Sequence, residues 1–424
     1  MKIALVAQQV SPLAAASDAH IAAQDSHVPS LARALARLGH RVTIYSRKDS
    51  PALPRRSALA PGAAVEHVPA GPPEPLAADG LAPYVSEFGG GLADRWRRDH
   101  PDIVHAHFWT SGLAALAGAR DLGIPVVQTF HSLAAAEGRQ GRPGPQGRRS
   151  LPDGGPAARI RLEAAIARSV SAVVASSSAE MSELARLGVP RTSIRVVPYG
   201  VDTRQFLPTG PVARRDGRPR LLAVAPLAEG NGLDTIVRSL AQVPDAELVI
   251  AGGPPRAELD KDRVHRELMR LATGLGVADR VRFTGRVSRA DMPALLRSAD
   301  LLVHVSVHEP FGMVPLEAMA CGTPVVASAV GSHRDTVIDG TTGVLVPPGE
   351  PRLLARRIRQ LLASPMLLEG YGIAAVDRVR SRYSWERIGR ETLAVYERVR
   401  QPVPAVRAHD GYEADDDYTA DYAA

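Results

Sequence analysis

Short β-branched runs alternate with amphipathic, Ala- and Leu-rich stretches, and the alternation occurs twice along the chain. A strand that is followed by a crossover helix can pair with the next strand only in parallel, so the pattern calls for two parallel sheets with helices on both faces. In the first half, strands are expected at 3–7, 42–45, 65–68, 103–105, 126–129 and 172–175. In the second, the candidates are 221–224, 247–251, 281–283, 301–305, 324–327 and 343–346. Between the first two, Val28, Leu31, Leu35 and Leu38 share one helical face, and Gly39 reads as a helix stop. Turn formers dominate from Pro198 to Pro219. The spacing therefore predicts an α/β protein with a first Rossmann-like domain at 1–200, a linker at 201–219 and a second domain at 220–383, the two facing each other across a cleft at the carboxyl ends of both sheets. A last helix over 384–400 carries Trp385, Ile388, Val395, Tyr396 and Val399 mostly on one face, and is expected to pack back on the first domain.

Three stretches lack periodicity. Residues 50–82 are rich in Pro and Ala and read as a loop around the third strand. Residues 138–161 hold six glycines and six arginines, either a solvated loop or a basic lid for an anionic acceptor. Residues 401–424 carry six acids against Arg407 and read as a disordered tail.

Composition bounds the function classes. No run approaches the roughly 18 apolar residues of a membrane span, and the opening hydrophobic segment is too short for a signal peptide. The single cysteine, Cys321, permits neither an internal disulfide nor a cysteine-based zinc cage, so a reducing, cytoplasmic setting is expected. A net charge of +6 invites a nucleic-acid reading. Only Lys2, Lys48 and Lys261 are lysines among 51 basic residues, however, which is the skew of a GC-rich coding sequence, and no nucleic-acid partner is expected. No Gly-x-Gly-x-x-Gly follows any strand, which disfavours a dinucleotide-dependent dehydrogenase.

The chemistry concentrates between Val305 and Val326. A strand there runs through a Gly turn into a helix with Pro315 in its first turn. Free backbone N–H groups at about Gly312 to Leu316 make an anion site suited to phosphate. Glu309 and Glu317 flank it. Carboxylates repel phosphate, so they suit sugar and ribose hydroxyls; alternatively Glu317 complements the helix dipole and Glu309 caps a loop. For His105 and His107 the residues alone suggest a strand-end pair bonded to backbone, and for His131 a structural cleft residue; a two-histidine metal site lacks an evident third ligand.

Glu309-Pro-Phe-Gly, Glu317 and the following Ala-Met-Ala-Cys-Gly-Thr-Pro-Val-Val-Ala-Ser resemble the donor-sugar signature of the retaining glycosyltransferases of family 4, which have the GT-B fold. The resemblance continues through His105-Ala-His107-Phe-Trp109, Thr129-Phe-His131, Val197-Pro-Tyr-Gly-Val-Asp202 and Phe283-Thr-Gly-Arg-Val287, and covers about residues 1–400. It is nearest to the sucrose synthases and the actinobacterial inositol-phosphate N-acetylglucosaminyltransferase. The resemblance implies a hexosyl transfer from a nucleotide-diphosphate sugar to a hydroxyl acceptor with retained anomeric configuration and no required metal or cofactor. It places Glu309 and His131 at the donor sugar, Glu317 at the ribose, backbone of Gly312, Met313 and Val314 against the donor, and backbone near Arg286 and Val287 against the base. His107, Arg159 and Trp109 fall on the acceptor side. Peripheral membrane contact stays open.

Two departures from the family pattern stand out. Relatives carry an Arg and a Lys that contact the donor diphosphate in the run after the first strand of the second domain; here Pro226 and Asn231 occupy those positions, and Glu229 adds a negative charge. Relatives also have Gly-Gly ahead of the first helix, where this chain has Ala22-Ala23. The second expectation is therefore a catalytically weakened or inactive homologue that binds nucleotide or sugar, or supports a partner.

Overall fold

The structure is a computed structural model and describes residues 1–8, 19–139 and 155–401. Eight strands form the first sheet: β1 (Lys2–Val6), β2 (Arg41–Arg47), β3 (Arg56–Ala60), β4 (Ala63–Val68), β5 (Ile103–His107), β6 (Val126–Thr129), β7 (Ala172–Ala175) and β8 (Ile194–Val196), in the order β3-β4-β2-β1-β5-β6-β7-β8. Six form the second: β9 (Arg220–Val224), β10 (Glu247–Ala251), β11 (Val281–Gly285), β12 (Leu301–His304), β13 (Val325–Ser328) and β14 (Gly343–Val346), in the order β11-β10-β9-β12-β13-β14. Every pairing is parallel except β3 with β4 at an edge. Both are Rossmann-like sheets. In each, the first strand of its half lies inside, between β2 and β5 or between β10 and β12. The strand order reverses there, which opens a crevice at the carboxyl ends of the strands.

The central strands read as continuous apolar runs because helices cover both faces. Ile3, Leu5, Ile44 and Val65 point into one layer with Val28, Leu31 and Leu35 of the helix Ala19–Arg37. Ala4, Val6 and Val104 face the opposite layer with Phe88, Leu92 and Trp96. Gly39 takes a φ of +87° just beyond the first helix, as a helix stop requires.

The helix Trp385–Arg400 crosses back to the first sheet. Ser384 caps it by accepting the Arg387 N–H, and Ile388, Val395 and Tyr396 join the same layer as Val28 and Leu31. The segment between β8 and β9 contains no helix or strand and crosses between the sheets; Val201 forms one isolated bridge to Ser384.

Three expectations change. Residues 50–82 are not all loop: β3 adds antiparallel to β4, and Ala78–Tyr84 winds into a 3-10 helix. Ala22 and Ala23 do not precede the first helix but lie inside it, where the backbone is helical and needs no glycine. Arg159 and Arg161 belong to the helix Gly155–Ser169 rather than to a loop; residues 140–154 of the basic stretch, and residues 402–424 of the acidic tail, lie outside the described residues. Among the described residues no helix is long and apolar enough to cross a membrane.

Candidate functional site

His105 and His107 alternate along β5 and so share one face at its carboxyl end, with ring centroids 4.3 Å apart. His105 Nδ1 lies 2.7 Å from the Tyr396 hydroxyl and its Nε2 2.9 Å from Thr129 Oγ1. His107 Nδ1 lies 3.0 Å from His131 Nε2, and His131 Nδ1 is bonded to the Tyr199 hydroxyl. The ring of His27 joins them, 4.2 Å from that of Tyr199. Burial disfavours the charged form of all four imidazoles. It lowers His27 and His105 to about 3 and holds His107 and His131 well below their ordinary value. These rings are therefore neutral near pH 7, and in the His107–His131 pair one nitrogen donates while the other accepts. His131 has a φ of +64° and Phe108 one of +71°, and their rings pack 4.5 Å apart. Such left-handed, non-glycine backbone persists where surrounding contacts over-determine it, and it collects at functional sites.

Across the cleft, the helix Met313–Ala320 follows β12, with Gly312 as its left-handed cap. Glu309 is 5% exposed. Its Oε1 accepts the N–H groups of Gly312 at 3.0 Å and Phe311 at 3.4 Å, and its Oε2 lies 2.9 Å from His304 Nε2. One of the N–H groups expected to meet a phosphate, that of Gly312, thus already has an acceptor, Pro315 has no N–H, and the helix offers Met313 and Val314 next. Glu317, one turn further on, is buried and paired with Arg289, whose guanidinium lies 4.6 Å over the Phe206 ring. Burial raises the Glu317 carboxyl and Arg289 pulls it back down. Tyr199 spans the cleft: its hydroxyl meets His131 on one side, and its ring stacks on Phe311 on the other, at 4.6 Å and 11°.

The loop after β9 is bonded to itself. Asn231 Nδ2 donates to the Pro226 carbonyl at 2.8 Å, while Glu229, which the sequence sets against a phosphate, pairs with Arg263 at 2.9 Å and is held below the usual carboxylate range by it. Neither position 226 nor 231 supplies a cation.

Of the other expected residues, Arg286 is exposed at the end of β11, its N–H bonded to the Pro254 carbonyl, and Val287 packs partly against the core. Trp109 is 6% exposed and packs with Phe130, Leu133 and Ile166 beneath the site. Arg159 bonds Glu163 at 2.8 Å and Ser132 Oγ at 3.1 Å. The structure thus collects His107 and His131 on one wall and Glu309, Gly312, Met313, Val314 and Glu317 on the other. Sequence reasoning missed His27, Tyr199, Arg289, His304 and His333. Tyr199 sat inside a quoted motif; the others carried no local signal.

Comparison with known proteins bears on the family and the fold. Residues 210–377 match the family described as glycosyl transferases group 1, and residues 24–205 match glycosyltransferase family 4. A D-inositol 3-phosphate glycosyltransferase of Catenulispora acidiphila is 34% identical over 93% of this chain and 95% of its own length. Its namesake in Xylanimonas cellulosilytica is also 34% identical, over 95% and 98%. Among solved structures, the sucrose-phosphate synthase of Thermosynechococcus elongatus superposes with a TM-score of 0.79 at 28% identity, covering 94% of this chain and 98% of that one.

Proposed function

Because this chain belongs to the group 1 glycosyl transferases of GT-B fold, with a family 4 region in its first half, we propose that it moves a hexosyl unit from a nucleotide-diphosphate sugar to a hydroxyl acceptor with retention of anomeric configuration. The observation that carries this reading is the pair of buried carboxylates, Glu309 and Glu317, set on either side of the amino end of Met313–Ala320 at the carboxyl edge of the second sheet.

Glu309 accepts hydrogen bonds from sugar hydroxyls close to the anomeric carbon, and Glu317 exchanges Arg289 for ribose hydroxyls. The N–H groups of Met313 and Val314 and the positive end of that helix face the diphosphate, with no metal or cofactor required. Both ring nitrogens of neutral His131 are bonded, to His107 and to Tyr199, so His131 meets the sugar by giving up one of these two bonds. The bond between the anomeric carbon and the diphosphate oxygen breaks, and its electron pair leaves with the diphosphate. The acceptor hydroxyl adds on the same face and gives its proton to the departing oxygen. The curated relatives are named for D-inositol 3-phosphate, which makes inositol phosphates the first acceptors to try.

Turnover of UDP-, GDP- and ADP-hexoses over such a panel tests the activity, and the anomeric proton coupling of the product tests retention. Glu309→Gln is expected to lower kcat by about 10²- to 10³-fold, the scale of one lost transition-state hydrogen bond. Inverted product would sink the retaining reading. A second reading, a transferase that binds donor but turns over slowly, draws on the missing cations at Pro226 and Asn231; it expects donor binding by calorimetry with little transfer.

A further inference from the structure

Three buried side chains converge at Glu309. His304 ends β12, Glu309 lies in the following loop, and His333 opens the short helix His333–Thr336. One ligand atom from each falls within 4.8 Å of the others. His304 Nε2 is 2.9 Å from Glu309 Oε2, and His333 Nε2 is 4.0 Å from the same oxygen.

The surroundings orient His333 and Glu309 as metal ligands are oriented. His333 Nδ1 is 2.8 Å from the Ser328 carbonyl, which can only accept, so Nδ1 carries the proton and Nε2 presents a bare lone pair. The ring is 0% exposed, and Nε2 has no hydrogen-bond partner. It faces a carboxylate oxygen, also an acceptor. Oε2 has His304 Nε2 beside it, whereas the buried His333 lone pair has no donor, and a cation between that lone pair and Oε2 satisfies both. Glu309 Oε1 is meanwhile fixed by the N–H groups of Phe311 and Gly312, which leaves Oε2 as the ligating atom.

We propose that His304 Nε2, Glu309 Oε2 and His333 Nε2 form a binding site for a divalent ion of the zinc class. Two imidazoles and one carboxylate with a fourth position open are a zinc-type donor set, whereas calcium and magnesium require more oxygen ligands than this site contains. Zinc bonds of about 2.05 Å set tetrahedral ligand separations of about 3.3 Å. The two separations to Oε2 bracket that value and the two imidazole nitrogens lie within 4.8 Å of each other, so side-chain adjustment closes the site. Metal entry requires the His304 proton to sit on Nδ1 rather than Nε2. Zinc binding here does not depend on the proposed transferase function. Its consequence does: an ion on Oε2 withdraws Glu309 from donor-sugar hydroxyls, so zinc and donor compete.

The test uses the full chain, stripped with chelator and desalted, titrated with zinc alone by calorimetry and with cobalt by visible absorption. The wild type is expected to bind one zinc equivalent that weakens by about 10- to 100-fold or more in both His333→Gln and His304→Gln, and cobalt is expected to give tetrahedral bands that both variants lose. No zinc equivalent in the wild type, or the same affinity and cobalt spectrum in variants with wild-type circular dichroism, overturns the site. The two variants are independent, so either one that folds decides the matter. Zinc bound at these residues without a rise in donor KM would instead count against the role given to Glu309 in the donor site.

Discussion

Arg289 and Glu317 show how much a single partner decides. Burial favours the protonated Glu317 carboxyl, and the Arg289 guanidinium opposes it. Removing the cation lets burial act alone, so Arg289→Ala raises the Glu317 pKa further. A protonated carboxyl is a poorer acceptor for ribose hydroxyls. The donor KM of Arg289→Ala is therefore expected to rise as pH falls from 8 to 6 more steeply than that of the wild type, in paired kinetic profiles; parallel profiles would contradict it. Gly331 shapes the other carboxylate. Its φ is +48°, and a Cβ there would lie 2.0 Å from the Glu309 carbonyl oxygen, so Gly331→Ala displaces the Glu309 backbone and lowers kcat even where the melting temperature changes little. Glu309 and Glu317 were legible in the sequence because one turn and one helix hold both. Arg289 lies 28 residues from Glu317, and Tyr199 lies 68 from His131. No local spacing encodes such pairs; the sheet topology brings them together.

At the level of elements, the buried strands were legible because their apolar runs are continuous and bounded by turn residues. β3 escaped notice because it is an edge strand with half-exposed residues, and β8 because three residues carry no period. The loop after β9 carries the sharpest element-scale prediction. Its Asn231–Pro226 bond holds a turn without cations, so Pro226→Arg with Asn231→Lys is expected to tighten nucleoside-diphosphate binding by about tenfold or more, measured by calorimetry, if charge is what the loop lacks. No gain in the soluble double variant would mean that the helix terminus already neutralises the diphosphate. The helix Trp385–Arg400 depends on Tyr396, whose hydroxyl meets buried His105. Tyr396→Phe strands that imidazole nitrogen and is expected to cost about 1 to 3 kcal/mol in denaturant unfolding.

For the whole molecule, the buried imidazoles set the response to acid. His27 and His105 sit near 3 in the folded chain against 6.5 when exposed, so below pH 6.5 the unfolded chain takes up protons that the folded chain refuses. Their contribution is complete above pH 6.5 and drains as pH falls toward 3, by about 1.4 kcal/mol per pH unit for each ring. The melting temperature is expected to stay level from pH 8 to 7 and fall between 6.5 and 5, with a shallower fall in His27→Phe. An equal slope in that variant would show that other groups govern the acid response. The return of the last helix to the first sheet has a consequence in time. A ribosome makes β1 to β8 early, yet Ile388, Val395 and Tyr396, which complete the layer against Ile3 and Val28, emerge only after the whole second sheet has been made. The half begun first is thus finished last, and during synthesis its exposed apolar layer must wait for, or be shielded until, the final helix arrives.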